Sequence, residues 1–223
     1  MKRSVARIVI AGLQSGAGKT SVALALVSSF RRRGLRVQTF KVGPDFLDPT
    51  YLSLASGRPC YNLDGWMTSK EYVLRLFSRT TGDADLAVIE GVMGLFDGAD
   101  PETLEGSTAE IARWLDAPVL LVVNVHGMAR SLAALVKGCV EFDNVLRIAG
   151  VIGNQGGSES HKMWLSRSLE GASLPPLLGA IPRGALPLLP SRHLGLVTAS
   201  SDTLTPAMLD EMSDLFDRSV SLS

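Results

Sequence analysis

The sequence predicts an α/β fold with a doubly wound, mostly parallel sheet, and two observations carry that expectation. Short apolar runs alternate with amphipathic stretches of helical period along nearly the whole chain, the pattern of βαβ units whose strands are buried on both faces. The first apolar run, Arg7 to Ala11, also passes through the glycine-rich turn Gly12 to Thr20 directly into a helical stretch, Ser21 to Arg33. That strand, turn and helix order is the one in which backbone N–H groups and a helix N-terminus gather an anion. A length of 223 residues suits one such domain.

The elements follow in order. Gly34 ends the first helix, and Leu35 to Phe40 alternates as a second strand, expected beside the phosphate loop and delivering Lys41 at its end. Val42 to Pro49 reads as a stiff loop with two prolines and two aspartates, and Gly57 to Trp66 as irregular. Ser69 to Ser78 has helical period through Val73, Leu74 and Phe77. Leu86 to Ile89 is an apolar strand ending in Glu90-Gly91, followed by the glycine-rich loop Gly91 to Gly98, which carries Asp97. Ser107-Thr108-Ala109-Glu110 has capping-box spacing and opens a helix to Leu115, whose N-terminus serves equally as a structural cap or as a seat for a carboxylate ligand. Strands at 118–124, 147–154 and 177–181 then alternate with helices at 128–140 and 158–169, six strands in all. Right-handed crossovers are expected. Past Ser200 a short helical pattern (Met208, Leu209, Met212, Leu215) runs out into a serine-rich end that resembles a linker.

The turn G-L-Q-S-G-A-G-K-T is a variant of the phosphate loop G-x-x-x-x-G-K-[ST]. Leu13 stands where the first glycine belongs, and the glycine is displaced to Gly12. Gly16, Ala17, Gly18, Lys19, Thr20 and Ser21 are therefore the expected nucleotide contacts, with Lys19 on the β- and γ-phosphates and Thr20 on Mg²⁺. The bland alternative makes Lys19 a solvated lysine, poorly placed beside a helix N-terminus unless an anion is there. Asp45 and Asp48 beside prolines read singly as turn caps. Glu90, at the carboxyl end of a buried strand, is either an exposed strand end or the carboxylate that steadies magnesium. If the sheet is parallel, the phosphate loop, Lys41, Asp45, Asp48 and Glu90 all fall in one crevice at its carboxyl edge. Carboxylates, a lysine, phosphate and a divalent ion together suit phosphoryl transfer from ATP.

Composition narrows the rest. Lys plus Arg and Asp plus Glu balance at 22 each, and no basic stripe is interleaved with aromatics, so a nucleic-acid partner is not expected. Arg31-Arg32-Arg33 sits where cations complement a helix C-terminus. Two cysteines, Cys60 and Cys139, are too few for a disulfide framework, and no apolar run approaches the roughly 18 residues of a membrane span. Lys2-Arg3 before an apolar run has the look of a signal peptide, but the run leads straight into the phosphate loop and reads as a strand; the cytoplasm is the expected compartment. His126, His161 and His193 are scattered without metal-ligand spacing, and no G-x-S-x-G elbow occurs.

The runs A-G-L-Q-S-G-A-G-K-T, F-K-V-G-P-D-F-L-D-P, G-R-P-C-Y-N-L-D-G-W-M, V-I-E-G-V-M-G-L-F-D-G, G-S-T-A-E, G-M-A-R-S and R-H-L-G-L-V together resemble the cobyrinic acid a,c-diamide synthase family. That family belongs to the amidotransferase group related to dethiobiotin synthetase, and the likeness extends from Ile8 to about Ala199. The resemblance implies ATP- and Mg²⁺-dependent amidation of the a and c carboxylates of cobyrinic or hydrogenobyrinic acid through an acyl phosphate, in cobalamin biosynthesis. It implies Asp48 and Glu90 with Thr20 on magnesium, and Lys41 between the substrate carboxylate and the γ-phosphate. Asp45 and Asp97 would orient the tetrapyrrole side chain or ammonia, and Asn154 and Pro182-Arg183 would lie near adenine. It implies residues 1–199 as the amidoligase domain and 200–223 as a linker, with ammonia supplied by a glutaminase domain or subunit absent from this chain. A homodimer is the expectation carried by relatives, with neither membrane nor nucleic-acid partner. Departures fall at Asn124-Val125-His126, where the family usually has Asp-Ala-Ser, and at Gln155, where arginine commonly follows Asn154. Nickel-sirohydrochlorin a,c-diamidation is the neighbouring alternative. A partition-type regulatory ATPase is the alternative from another class, although its loop carries a lysine where Gln14 stands.

Overall fold

The computed structural model describes residues 5–187 and 203–222. The run Arg192 to Val197, with His193, and the domain boundary expected at 199/200 lie outside the described residues. Strands β1 (Ala6–Gly12), β2 (Val37–Val42), β3 (Tyr61–Leu63), β4 (Leu86–Glu90), β5 (Val119–Asn124), β6 (Ile148–Gly156) and β7 (Leu177–Pro182) form one sheet in the order β3-β2-β4-β1-β5-β6-β7. Every pairing between these strands is parallel. The doubly wound sheet read from the alternation is therefore the fold.

Side chains alternate across the sheet as the two-residue strand period requires. In β1, Val9 and Ala11 enter one apolar layer and Ile10 the other; in β4, Ala87 and Ile89 oppose Val88. The first layer lies under α3 (Lys70–Thr80), α4 (Thr108–Trp114), α5 (Ser131–Phe142) and α6 (Glu159–Glu170). The second lies under α1 (Lys19–Arg32), α2 (Asp48–Ser56) and α7 (Pro206–Ser219). Continuing the period to the carboxyl ends puts Lys41 and Glu90, paired in register across β2 and β4, on the α1 and α2 side. That parity is what turns two strand-end charges toward the phosphate loop.

Three expectations need correction. Among the described residues the sheet has seven strands rather than six; the extra one, β3, spans only three residues and shows no readable alternation. The stiff loop continues into a helix, α2, whose Pro49 sits in the first turn, where its missing N–H costs nothing. Strand β2 does not lie beside the phosphate-loop strand: β4 is inserted between them, pairing with β1 on one side and β2 on the other. The short helical pattern read past Ser200 is helix α7, with Met212 and Phe216 buried in the second layer. Ser29 Oγ donates to Asp217 (2.5 Å), Arg33 reaches the same carboxylate (2.6 Å) and Arg32 reaches Asp214 (2.6 Å). Val220 then bridges Gly179 of β7.

Candidate active site

The phosphate loop is built by the end of β1 and the start of α1. Gly16 and Gly18 adopt positive φ (76° and 95°), a backbone region costly for other residues. Gly18 caps the 14-residue α1 without any side-chain acceptor, and no acidic residue occupies the first turn. No side-chain cap or first-turn carboxylate therefore competes with an external anion for the start of this long helix. A Cβ on Gly12 would stand 3.1 Å from the Ala17 methyl and 3.2 Å from Lys19 Cγ, so the displaced glycine of the motif is the one the Lys19 stem packs against. Lys19 is buried and donates to the carbonyls of Gln14 (3.1 Å) and Met93 (2.5 Å), tying the loop to the segment after β4. Leu95 N–H donates to Gly12 O (2.7 Å), a second tie. Ser21 follows in the first turn of α1, half-buried.

Beside this loop four of the expected site side chains meet. Thr20 Oγ1 donates to Glu90 Oε1 (2.6 Å). Lys41 Nζ lies 3.0 Å from the same oxygen, 2.8 Å from Asp48 Oδ2 and 3.0 Å from Gly91 O. Lys41 and Glu90 are 2% and 0% exposed. Burial works against the Lys41 ammonium, but the Glu90 and Asp48 carboxylates outweigh it and raise its pKa. Burial first, and Asp48 as well, push the Glu90 carboxyl above the usual carboxylate range against the pull of Lys41. Two carboxylates facing one ammonium leave a formal excess of negative charge. Glu90 Oε2, moreover, is buried with no hydrogen-bond partner, an arrangement that costs free energy unless something else binds there. Oxygen-only donors with one carboxylate oxygen unspent suit a hard divalent cation such as Mg²⁺ held jointly with phosphates. Thr20, Asp48 and Glu90 are the residues that could hold it.

The remaining expected residues are distributed around this centre. Asp45 Oδ1 accepts from the N–H groups of Leu47 (2.8 Å) and Asp48 (3.2 Å), so it does serve as the turn cap, and that cap aims Asp48 at Lys41. Asp97 is exposed and accepts from Gly94 N–H (2.8 Å), bracing the loop after β4. Asn154, buried at the end of β6, donates to Ala17 O (3.0 Å) and lies against Gly18. Pro182 ends β7, beyond β6, and is exposed. Ser107 is fully buried and accepts from Glu110 N–H (3.1 Å); the helix it opens is only seven residues long, so the structural cap is the reading that holds.

Sequence reasoning missed two residues that set the site. Asn62 of β3 donates to the carbonyls of Gly43 (2.7 Å) and Asp45 (2.6 Å), clamping the loop that carries Asp48. Thr108 Oγ1 accepts from Val92 N–H (2.9 Å) and donates to Val92 O (3.1 Å), fixing the chain just past Glu90. The only signal for Asn62 was a polar residue inside an otherwise apolar run. Among the departures, Asn124 accepts from His126 N–H (3.1 Å) in a local turn, and Gln155 adopts φ 59°. His161 is structural, bridging Gly157 N–H and Met128 O. The Cys60 thiol is pushed up to about 12 by burial, which leaves no thiolate for nucleophilic work at neutral pH.

A parallel sheet, a variant phosphate loop at the first strand and the buried charges Lys41 and Glu90 on neighbouring strand ends define a phosphate-loop nucleotide-binding domain. Residues 8–197 match the family model CbiA, the CobQ/CobB/MinD/ParA nucleotide binding domain, and the chain belongs to that family. The chain is 64% identical over 219 residues to a cobyrinate a,c-diamide synthase of Syntrophotalea carbinolica, covering 98% of this chain and 48% of that protein. It is 48% identical over 205 residues to one of Leptospira interrogans, covering 92% and 44%. It therefore spans about half the length of the curated relatives it matches. Chloroplast FtsY from Physcomitrella patens shares the fold at a TM-score of 0.56 and 16% identity, over 93% of this chain and 65% of that one. Among the described residues no helix is long and apolar enough to cross a membrane.

Proposed function

We propose that this chain is the ATP-dependent amidoligase part of a cobyrinate a,c-diamide synthase, working in the cytoplasm and residing in residues 1–199. A carboxylate is a poor electrophile. In the proposed reaction an oxygen of the tetrapyrrole a or c carboxylate attacks the γ-phosphorus of ATP and ADP departs. Ammonia then attacks the acyl carbon, inorganic phosphate leaves with the C–O bond electrons, and the nitrogen gives up a proton. Lys19 and the loop N–H groups hold the phosphates, and Asn154 and Pro182 border the base. Lys41 neutralises charge between donor and acceptor. Thr20, Asp48 and Glu90 would hold Mg²⁺, which supplies charge neutralisation on the phosphates when bound. Asp45 fixes the Asp48 turn, and Asp97 steadies the loop facing the acceptor. Ammonia comes from a glutaminase domain or subunit, and the working form is a homodimer.

The observation that carries this reading is the chain of contacts Thr20–Glu90–Lys41–Asp48, buried against the phosphate loop. It joins a metal-type donor set to a cation suited to bridging two anions. The test is mass spectrometry of cobyrinic acid, hydrogenobyrinic acid and nickel-sirohydrochlorin incubated with the chain, ATP, Mg²⁺ and ammonium. A two-step loss of carboxylate to amide with matching ADP release is expected for a corrinoid. ADP release indifferent to every tetrapyrrole would reject the ligase.

A further inference from the structure

A cavity of about 540 Å³ opens beside the phosphate loop on the α5 side, away from the Thr20, Asp48 and Glu90 cluster. Leu13 and Gln14 of the loop form one wall, Phe96, next to Asp97, another, and Gly138 and Phe142 of α5 the third. No charged side chain lines it; its polar groups are the amides of Gln14 and Asn124. Ala17 of the phosphate loop lines its inner end, but a triphosphate would find no cation among the described lining side chains, so the cavity is not a phosphate seat. At the rim Phe142 is 72% exposed, with its ring centroid 4.8 Å from that of Phe96. The rings are tilted by 58° to each other, so the pair offers one ring face and one ring edge to whatever enters.

Gly138 shows that the space is kept open. It lies inside the 12-residue α5, where glycine lowers helix stability relative to alanine. Its backbone needs no positive φ, and a Cβ built on it meets nothing within 4 Å. Nothing in the described chain therefore bars a larger side chain at this position, and with glycine there the cavity stays open along α5. Ala134 lines the same wall one turn earlier, so the floor is small-sided along the helix.

We infer that this cavity receives the apolar edge of the macrocyclic acceptor, with the Phe96–Phe142 pair against its conjugated face and the Gln14 and Asn124 amides hydrogen-bonded to a peripheral carboxylate or amide. The inference rests on the amidoligase reading and adds the subsite to it. Its volume admits a ring edge and substituents rather than a whole tetrapyrrole, which leaves the reacting carboxylate free to lie over the phosphate loop. Gln14 thereby links the two ligands, its backbone carbonyl accepting from Lys19 and its side chain bordering the acceptor.

The test is Gly138→Leu, which fills the cavity from a position with room for a side chain, paired with Phe142→Ser, which strips the rim and leaves the volume. Calorimetric titration with cobyrinic acid in the presence of a non-hydrolysable ATP analogue and Mg²⁺ should show at least a tenfold weaker Kd for Gly138→Leu and a smaller loss for Phe142→Ser. Affinity for the analogue alone and the thermal midpoint should stay at or above wild type. Unchanged cobyrinic acid affinity in a folded Gly138→Leu overturns the subsite and leaves the ligase intact. So does a change in self-association by sedimentation with that affinity unaltered, which would assign the cavity to contact between copies. Wild-type chain that binds no cobyrinic acid removes both readings together.

Discussion

Lys41 and Glu90 stand opposite each other on adjacent parallel strands, 3.0 Å apart, and Glu90 alone among the charged residues described has no exposed surface at all. Thr20 bonds to Glu90 and Asp48 to Lys41, so the other side chains on the pair belong to the same cluster. A buried ion pair of this kind is weak evidence of stabilisation, since desolvation offsets much of its attraction. Its value lies in holding a cation-seeking oxygen, Glu90 Oε2, at a fixed place.

Replacing Glu90 with Gln keeps the shape and removes the charge. Turnover of ATP should fall by roughly a hundredfold, about 3 kcal/mol of transition-state stabilisation, with a raised Mg²⁺ requirement. Magnesium titrations of steady-state ADP release check this, and an unaltered metal requirement would reassign Glu90 to a purely structural part.

Lys19→Ala removes the ammonium that spans the carbonyls of Gln14 and Met93. Loss of its charged hydrogen bonds to phosphate should weaken ATP binding by about 10–100-fold. Calorimetry with the ATP analogue reads it directly; wild-type affinity in this variant would contradict the phosphate cradle.

Asp97→Asn preserves an oxygen that can accept from Gly94 N–H and deletes the charge on an exposed side chain. The expected outcome is a disturbed tetrapyrrole step, seen as a raised KM or accumulation of monoamide, with ATP affinity within about twofold of wild type, as expected for a group that does not touch the nucleotide. A defect confined to ATP affinity would move Asp97 to the nucleotide side.

The α1–α7 contact gives a prediction in pH. Burial works against the Asp217 carboxylate, but the Ser29 hydroxyl and the Arg33 and Arg32 guanidiniums outweigh it and hold its pKa below the usual range. Its contribution is therefore complete above the unfolded value of about 3.9 and is lost as pH falls through the lowered folded value. Asp217→Asn should cost about 1 kcal/mol, roughly 2–4 °C in Tm, at neutral pH, and the difference from wild type should shrink at acid pH. Differential scanning calorimetry across pH 2–7 checks both.

Much of this was legible from residues alone. Alternation gave the parallel sheet, because buried strands and amphipathic helices differ in period, and the phosphate loop was legible because its glycines and lysine are local in sequence. Asp48, Lys41 and Glu90 could be gathered because strand ends of a parallel sheet share an edge. What stayed hidden depended on distant partners. The three-residue β3 exists only because β2 offers it a ladder, and α2 begins inside a proline loop capped by Asp45. The insertion of β4 between β1 and β2 is a choice of neighbour, and no single strand carries its neighbours in its own sequence. Asn62 is a clamp for the same reason: its partners, Gly43 and Asp45, belong to another segment.

That strand order also bears on how the molecule is assembled. Strand β1 is made first, yet both its ladders, β4 from Leu86 and β5 from Val119, belong to later stretches of the chain. A nascent chain ending before Leu86 holds the whole phosphate loop but neither edge that fixes it, and the ties from Met93 and Leu95 are missing as well. Such non-local pairing slows folding, so ATP should protect a chain truncated after Asn124 from limited proteolysis far better than one truncated before Leu86. Nucleotide affinity thus matures only once the central strand has been enclosed from both sides.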